Sequence, residues 1–108
     1  MNIFSVRSKS NKIIRLTDTI WNKISKEHLE FEDKYLEEMK ETIRNPDYIV
    51  EGWQKELLAL KWCDIAPAKP KYLCVVYREL NGEGFIITAF FISRYGKLLR
   101  RKILWQKN

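Results

Sequence analysis

In the first half of the chain apolar side chains recur every three or four positions; in the second half they gather into short runs separated by turn residues. Leu16, Ile20, Trp21 and Ile24 keep helical spacing, and Thr17 or Asp18 offers an N-cap, so the pattern predicts a first helix running to about His28. Phe31, Tyr35, Leu36, Met39 and Ile43 line one face of a second helix. Its other face is rich in Glu and Asp and reads as a solvated surface. Asn45-Pro46 ends it, because proline disfavours helical geometry in the residue before it. Ahead of the first helix, residues 12–16 read as a short strand or extended lead-in. Residues 1–11 are expected to be a flexible lead-in to a single domain over 12–108.

Beyond Pro46 the period changes to that of strands. Tyr48 to Val50, residues 56–63, 71–80 and 84–93 are strand candidates, with a proline-containing loop at 64–70 and a hairpin turn at Asn81-Gly82. A last short strand near residues 103–105 would close the sheet. With unbroken pairing through the turn, Leu73, Val75 and Tyr77 share a face with Ile86, Thr88 and Phe90. Cys74, Val76 and Arg78 then share the other with Phe85, Ile87 and Ala89. Both faces are apolar, so these are central strands covered on each side. The helices cover one; loops, the basic tail or a partner cover the other. The fold class that follows is α+β, two N-terminal helices followed by a four- to five-stranded antiparallel sheet.

Composition changes this picture little. The 108 residues suit one domain, and 45% hydrophobic with 13% aromatic residues can build its core. No apolar run reaches the ~18 residues of a membrane span, and no signal-peptide pattern opens the chain, so a cytoplasmic protein with no membrane partner is expected. Cys63 and Cys74 lack a ligand spacing and read as free, partly buried thiols.

Charge changes it more. Residues 1–54 hold nine basic and ten acidic side chains, whereas residues 55–108 hold eleven and four. The tail carries Arg94, Lys97, Arg100, Arg101, Lys102 and Lys107 with no acid among them. Such segregation favours a polyanion, nucleic acid first; a tail that merely solubilises the chain is the other reading.

Several side chains suit chemistry. His28, the only histidine, ends the first helix beside the apolar stripe, where it can move a proton or simply finish a helix whose dipole favours it. Thr88 is the polar residue on its face of an apolar strand, able to hold a phosphate oxygen or to be plain strand former. Lys61 can stabilise charge on phosphate or guard an edge strand. Trp53, Trp62, Tyr77 and Trp105 are candidate base-stacking platforms, with at least two expected in the core. No glycine-rich phosphate loop, GxSxG or HExxH occurs, and the acids crowd into one helix, so neither a cofactor nor a two-metal site is indicated. A nuclease of this composition would be metal-independent and act on RNA, whose own 2′-hydroxyl is the nucleophile.

The ordered features resemble a family. A helix ends Lys26-Glu27-His28, and a second ends Ile43-Arg44-Asn45-Pro46-Asp47. Then come Leu60-Lys61-Trp62, Tyr72-Leu73-Cys74-Val75-Val76, Ile87-Thr88-Ala89-Phe90 and Lys102-Ile103-Leu104-Trp105. Together, over residues 12–106, they resemble the phage barnase–EndoU–colicin–RelE-like nucleases. The resemblance implies metal-independent RNA cleavage by a phage-related or toxin-like protein. It implies His28 as general acid or base, Lys61 as charge stabiliser and Thr88 as positioning hydroxyl. RNA would lie on the basic tail, and an antitoxin or immunity protein is a possible partner. Leu29 stands where relatives tend to have proline, and Phe90 where tyrosine is expected. Two other readings use the same charge without chemistry: a nucleic-acid-binding module, and a domain docking an acidic protein.

Overall fold

The helices begin and stop where local chemistry directs. A computed structural model describes residues 2–28, 31–93 and 96–107. In it α1 (Asp18–Glu27) is capped by Thr17, whose hydroxyl oxygen accepts from the Ile20 N–H at 3.3 Å. The helix closes at His28, whose N–H donates to the Ile24 carbonyl at 2.8 Å. A 3-10 turn (Asp33–Tyr35) leads into α2 (Leu36–Arg44), which ends at Asn45 ahead of Pro46.

The sheet is larger than the pattern predicts. It contains β1 (Asn2–Arg7), β2 (Ile13–Thr17), β3 (Tyr48–Glu51), β4 (Leu57–Cys63), β5 (Lys71–Glu79), β6 (Glu83–Ile92) and β7 (Ile103–Gln106), with a short α3 (Gly96–Leu99) between the last two. The strand order is β1-β2-β6-β5-β4-β3-β7. It is a mixed seven-stranded sheet with helices interspersed, because β2 pairs with β6 in parallel while every other neighbour is antiparallel. The four- to five-stranded antiparallel expectation is corrected accordingly. Residues 2–7, expected as a lead-in, are the edge strand β1, with Phe4 and Val6 buried and their neighbours exposed. Only two inward apolar residues mark that strand, too few for a period of two to stand out.

A bulge corrects the faces of the β5–β6 hairpin. Tyr77 pairs with Ile86, but Val76 pairs with Thr88, so Ile87 has no opposite number. One extra residue reverses every later side chain of β6. Ala89 and Phe91 join Leu73, Val75 and Tyr77 on the inner face, against α1 and α2. Thr88 and Phe90, expected there, lie instead on the outer face with Val76 and Cys74. The hairpin itself turns as expected at Gly82, where φ is 81°. Gly84 is needed for another reason: a Cβ there would sit 2.0 Å from the Arg78 carbonyl oxygen.

The outer face is closed by the basic tail. Val50, Leu58, Leu60, Cys74 and Val76 form a second core, on which Leu98 and Leu99 of α3 pack as the chain crosses from β6 to β7.

Candidate active site

α1 packs beside β6, whose pairing with β2 covers only residues 83–85. His28, the residue that caps the C-terminus of α1, lies against Phe90 of the outer face. The imidazole centroid lies 6.2 Å from the Phe90 ring and 6.3 Å from the Phe31 ring, and the residue is half-buried. Thr88, also half-buried, is two residues before Phe90 on the same face, ~7 Å along the strand. His28 and Thr88 therefore both neighbour Phe90.

The third side chain of this group is Arg78. It shares the outer face with Val76, the partner of Thr88, and so is the diagonal neighbour of Thr88 with Cα atoms ~7–8 Å apart. Its Nη2 donates to the Gln54 carbonyl at 2.7 Å, while its Nε is buried with no hydrogen-bond partner. A buried N–H without an acceptor costs about 1–3 kcal/mol, so the Arg78 Nε is left unsatisfied within the fold. Sequence reasoning passed over Arg78 because unbroken pairing puts it and Thr88 on opposite faces. The bulge brings them together.

Lys61 is placed elsewhere. It shares the inner face with Ala59 and Cys63, and its Nζ donates to the Asn45 carbonyl at 3.1 Å, at the C-terminus of α2. Through its register with Leu73 and then Phe91, it lies ~14 Å from Thr88 with the side chains on opposite faces. One phosphate cannot meet both.

The tail cations also divide. Lys97, Arg100 and Lys102 are exposed. Arg101 instead donates to the Glu51 and Gly52 carbonyls at 2.7 Å each, and its guanidinium lies 4.4 Å from the Trp53 ring centroid. Arg94 lies outside the described residues. Among the aromatic candidates Tyr77 is core and Trp105 half-buried. Trp62 packs edge-on to Tyr72 and donates to Asp64, and Trp53 is 65% exposed.

Burial pushes the pKa of both thiols up, Cys74 most, and that of the Tyr77 phenol, which the Glu79 charge lifts further. None of the three is therefore a ready nucleophile near neutral pH. Among the described residues no His, Cys, Asp and Glu cluster could hold a metal ion, and none of their helices is long and apolar enough to cross a membrane. A cleft of about 420 Å³ follows the outer side of α1 between Thr19 and Glu27, with Lys23 and Lys26 in its wall. Along this face lie an imidazole against Phe90, a hydroxyl two residues before it, and a guanidinium diagonal to that hydroxyl. These are a proton carrier, an orienting donor and a fixed positive charge.

The family model described as phage-Barnase-EndoU-ColicinE5/D-RelE like nuclease2 matches residues 4–106. No curated protein and no solved structure is significantly similar to the chain.

Proposed function

The chain belongs to the phage-Barnase-EndoU-ColicinE5/D-RelE like nuclease2 family, and from that premise we propose that it is a metal-independent endoribonuclease of toxin-like type, acting in the cytoplasm. The observation that carries the reading is the bulge at Ile87, which turns Thr88 and Phe90 together to the outer face, where the Phe90 ring lies 6.2 Å from His28.

In the proposed reaction the substrate's 2′-oxygen attacks phosphorus and the bond to the 5′-oxygen breaks. The 2′ proton passes to a base, and a proton is returned to the leaving 5′-oxygen. The products are a 2′,3′-cyclic phosphate and a 5′-hydroxyl. His28 acts as general acid or base, a role worth ~10²–10⁴ in rate. The Thr88 hydroxyl donates to a non-bridging oxygen, and Arg78 takes the charge-stabilising part that the sequence suggested for Lys61. Lys97, Arg100 and Lys102 hold the backbone of the substrate. A protein that masks this basic face, such as an antitoxin or immunity protein, would inhibit it.

The test is cleavage of a labelled RNA oligonucleotide in EDTA. The expected result is a 2′,3′-cyclic phosphate end, with a 2′-deoxy residue at the cut position blocking the reaction. His28→Ala should lose at least ~100-fold in rate with an unchanged melting temperature. Full activity in that variant, or cleavage through the 2′-deoxy position, would overturn the mechanism.

A further inference from the structure

The outer face carries a second feature at its β3–β4 end. Residues 52–56 turn between Glu51 and Leu57, which pair with each other; Leu57 pairs with Tyr77, and Tyr77 with Ile86. The next pair along β5 and β6 is Arg78 with Phe85, on the outer face, and Phe85 is 40% exposed. Trp53 stands in the turn, 65% exposed, the most exposed large apolar side chain among the described residues. Arg101 is fixed behind its ring, 4.4 Å from the centroid, by two hydrogen bonds to the Glu51 and Gly52 carbonyls. Arg78 holds the same turn through the Gln54 carbonyl.

Two arginines thus tie down a turn whose indole is left in solvent. The tie does not need an indole, since both arginines bind carbonyl oxygens that any residue supplies. An indole this exposed contributes little burial to folding. One ring face is covered by the guanidinium and, at 65% exposure, the other is open; the turn is tied to the outer face through Arg78. Thr88, Val76, Leu58 and Val50 are in register across four strands ~4.8 Å apart, so Trp53, just past β3, lies ~15–18 Å from Thr88, about four to five nucleotides at the ~3.4 Å rise of a stacked strand.

We infer that Trp53, backed by Arg101, is a stacking platform for an unpaired base of the substrate, so that the enzyme selects single-stranded over duplex RNA. The inference rests on the ribonuclease reading and names the substrate class of that site. A base buried in a duplex stack has no free ring face to offer, whereas an unpaired one stacks on an aromatic side chain whatever its identity. The exposed Phe85, opposite Arg78 on the strand that carries Thr88, is a second surface for the same substrate strand.

The experiment is fluorescence anisotropy with a labelled 2′-O-methyl RNA oligonucleotide, which resists cleavage, single-stranded and as a duplex of the same sequence. The wild type should bind the single strand more tightly. Trp53→Ala and Trp53→Leu should each weaken single-strand binding roughly tenfold, and Trp53→Phe much less. The salt slope should stay the same in all three, whereas Arg100→Ala and Lys102→Ala should each flatten it by about one unit. Unchanged affinity in Trp53→Ala overturns the platform, and so does affinity retained by Trp53→Leu, which would mean apolar bulk rather than stacking. Equal loss for duplex and single strand overturns the selectivity. If the wild type neither binds nor cleaves RNA, the ribonuclease reading falls and the platform with it; if it cleaves RNA while Trp53→Ala is indifferent, only the platform falls.

Discussion

Lys61→Met separates two roles that one side chain cannot fill at once. In the structure the Lys61 ammonium donates to the Asn45 carbonyl at 3.1 Å, where the last carbonyls of α2 lack helical partners. A hydrogen bond to a charged group contributes ~1.5–3 kcal/mol when buried, and a cation at a helix C-terminus ~0.3–1 kcal/mol. These are two descriptions of one contact, and the residue is only half-buried, so solvent screening lowers the figure to ~1 kcal/mol. Methionine keeps the apolar stem and removes only the charge. For a domain of this size a loss of ~1 kcal/mol lowers the melting temperature by about 5 °C. Turnover of RNA should stay within about twofold of wild type, because Lys61 lies on the helix-covered face. Had it stabilised charge on the reacting phosphate, its loss would cost ~10²–10³ in kcat with little change in stability. Thermal melting and single-turnover cleavage on the same preparation decide the matter. A hundredfold fall in rate at an unchanged melting temperature would refute the assignment of Lys61 to the α2 terminus.

Gly84→Ala should destabilise the fold by ~3 kcal/mol in urea titration, since its Cβ would sit 2.0 Å from the Arg78 carbonyl oxygen and 2.9 Å from Ile14 Cδ1; a neutral substitution would contradict the close approach of β2, β5 and β6. Arg78→Lys should lower kcat by at least ~10-fold, because an ammonium cannot both hold the Gln54 carbonyl and offer a second fixed donor; wild-type kcat in that variant would remove Arg78 from the site. Cys63 and Cys74 should resist alkylation at pH 8 in the folded state and react only after unfolding, because burial raises both thiols; rapid labelling of the native protein, read by mass spectrometry, would count against the two cores. The Glu56 carboxyl is held below its ordinary value of 4.5 by the Gln54 N–H, so its contribution to the turn is complete above that pH and is lost as pH falls through the lower, folded value; the Gln54 amide resonance should titrate below 4.5, and a midpoint above it would contradict the bond.

Features set by near neighbours were legible in the chain. Thr17 caps α1 and His28 ends it because the cap, the helical spacing and the loss of hydrogen-bond partners all fall within a few residues. Asn45-Pro46 ends α2, and Gly82 turns the β5–β6 hairpin, for equally local reasons. The division of apolar residues between two faces of β5 was legible too, since it needs only a period of two. The segregation of positive charge into the second half is a property of the chain alone.

Tertiary structure decided how those parts meet. The parallel pairing of β2 with β6 joins residues seventy apart in sequence, as Ile13 does with Glu83, and no local pattern encodes it. The bulge at Ile87 lies in the pairing of β5 with β6, and it alone determines that Thr88 and Phe90 share the face of Arg78 rather than that of the helices. Lys61 looked like any strand cation until the end of α2 was laid beside it. Arg101 counted as one more tail charge until the β3–β4 turn supplied two carbonyls and an indole. The physical reason is common to all four. Propensity, capping and periodicity act over a few residues, whereas register and the face a side chain presents are set by partners distant in the chain, and a shift of one residue reverses them.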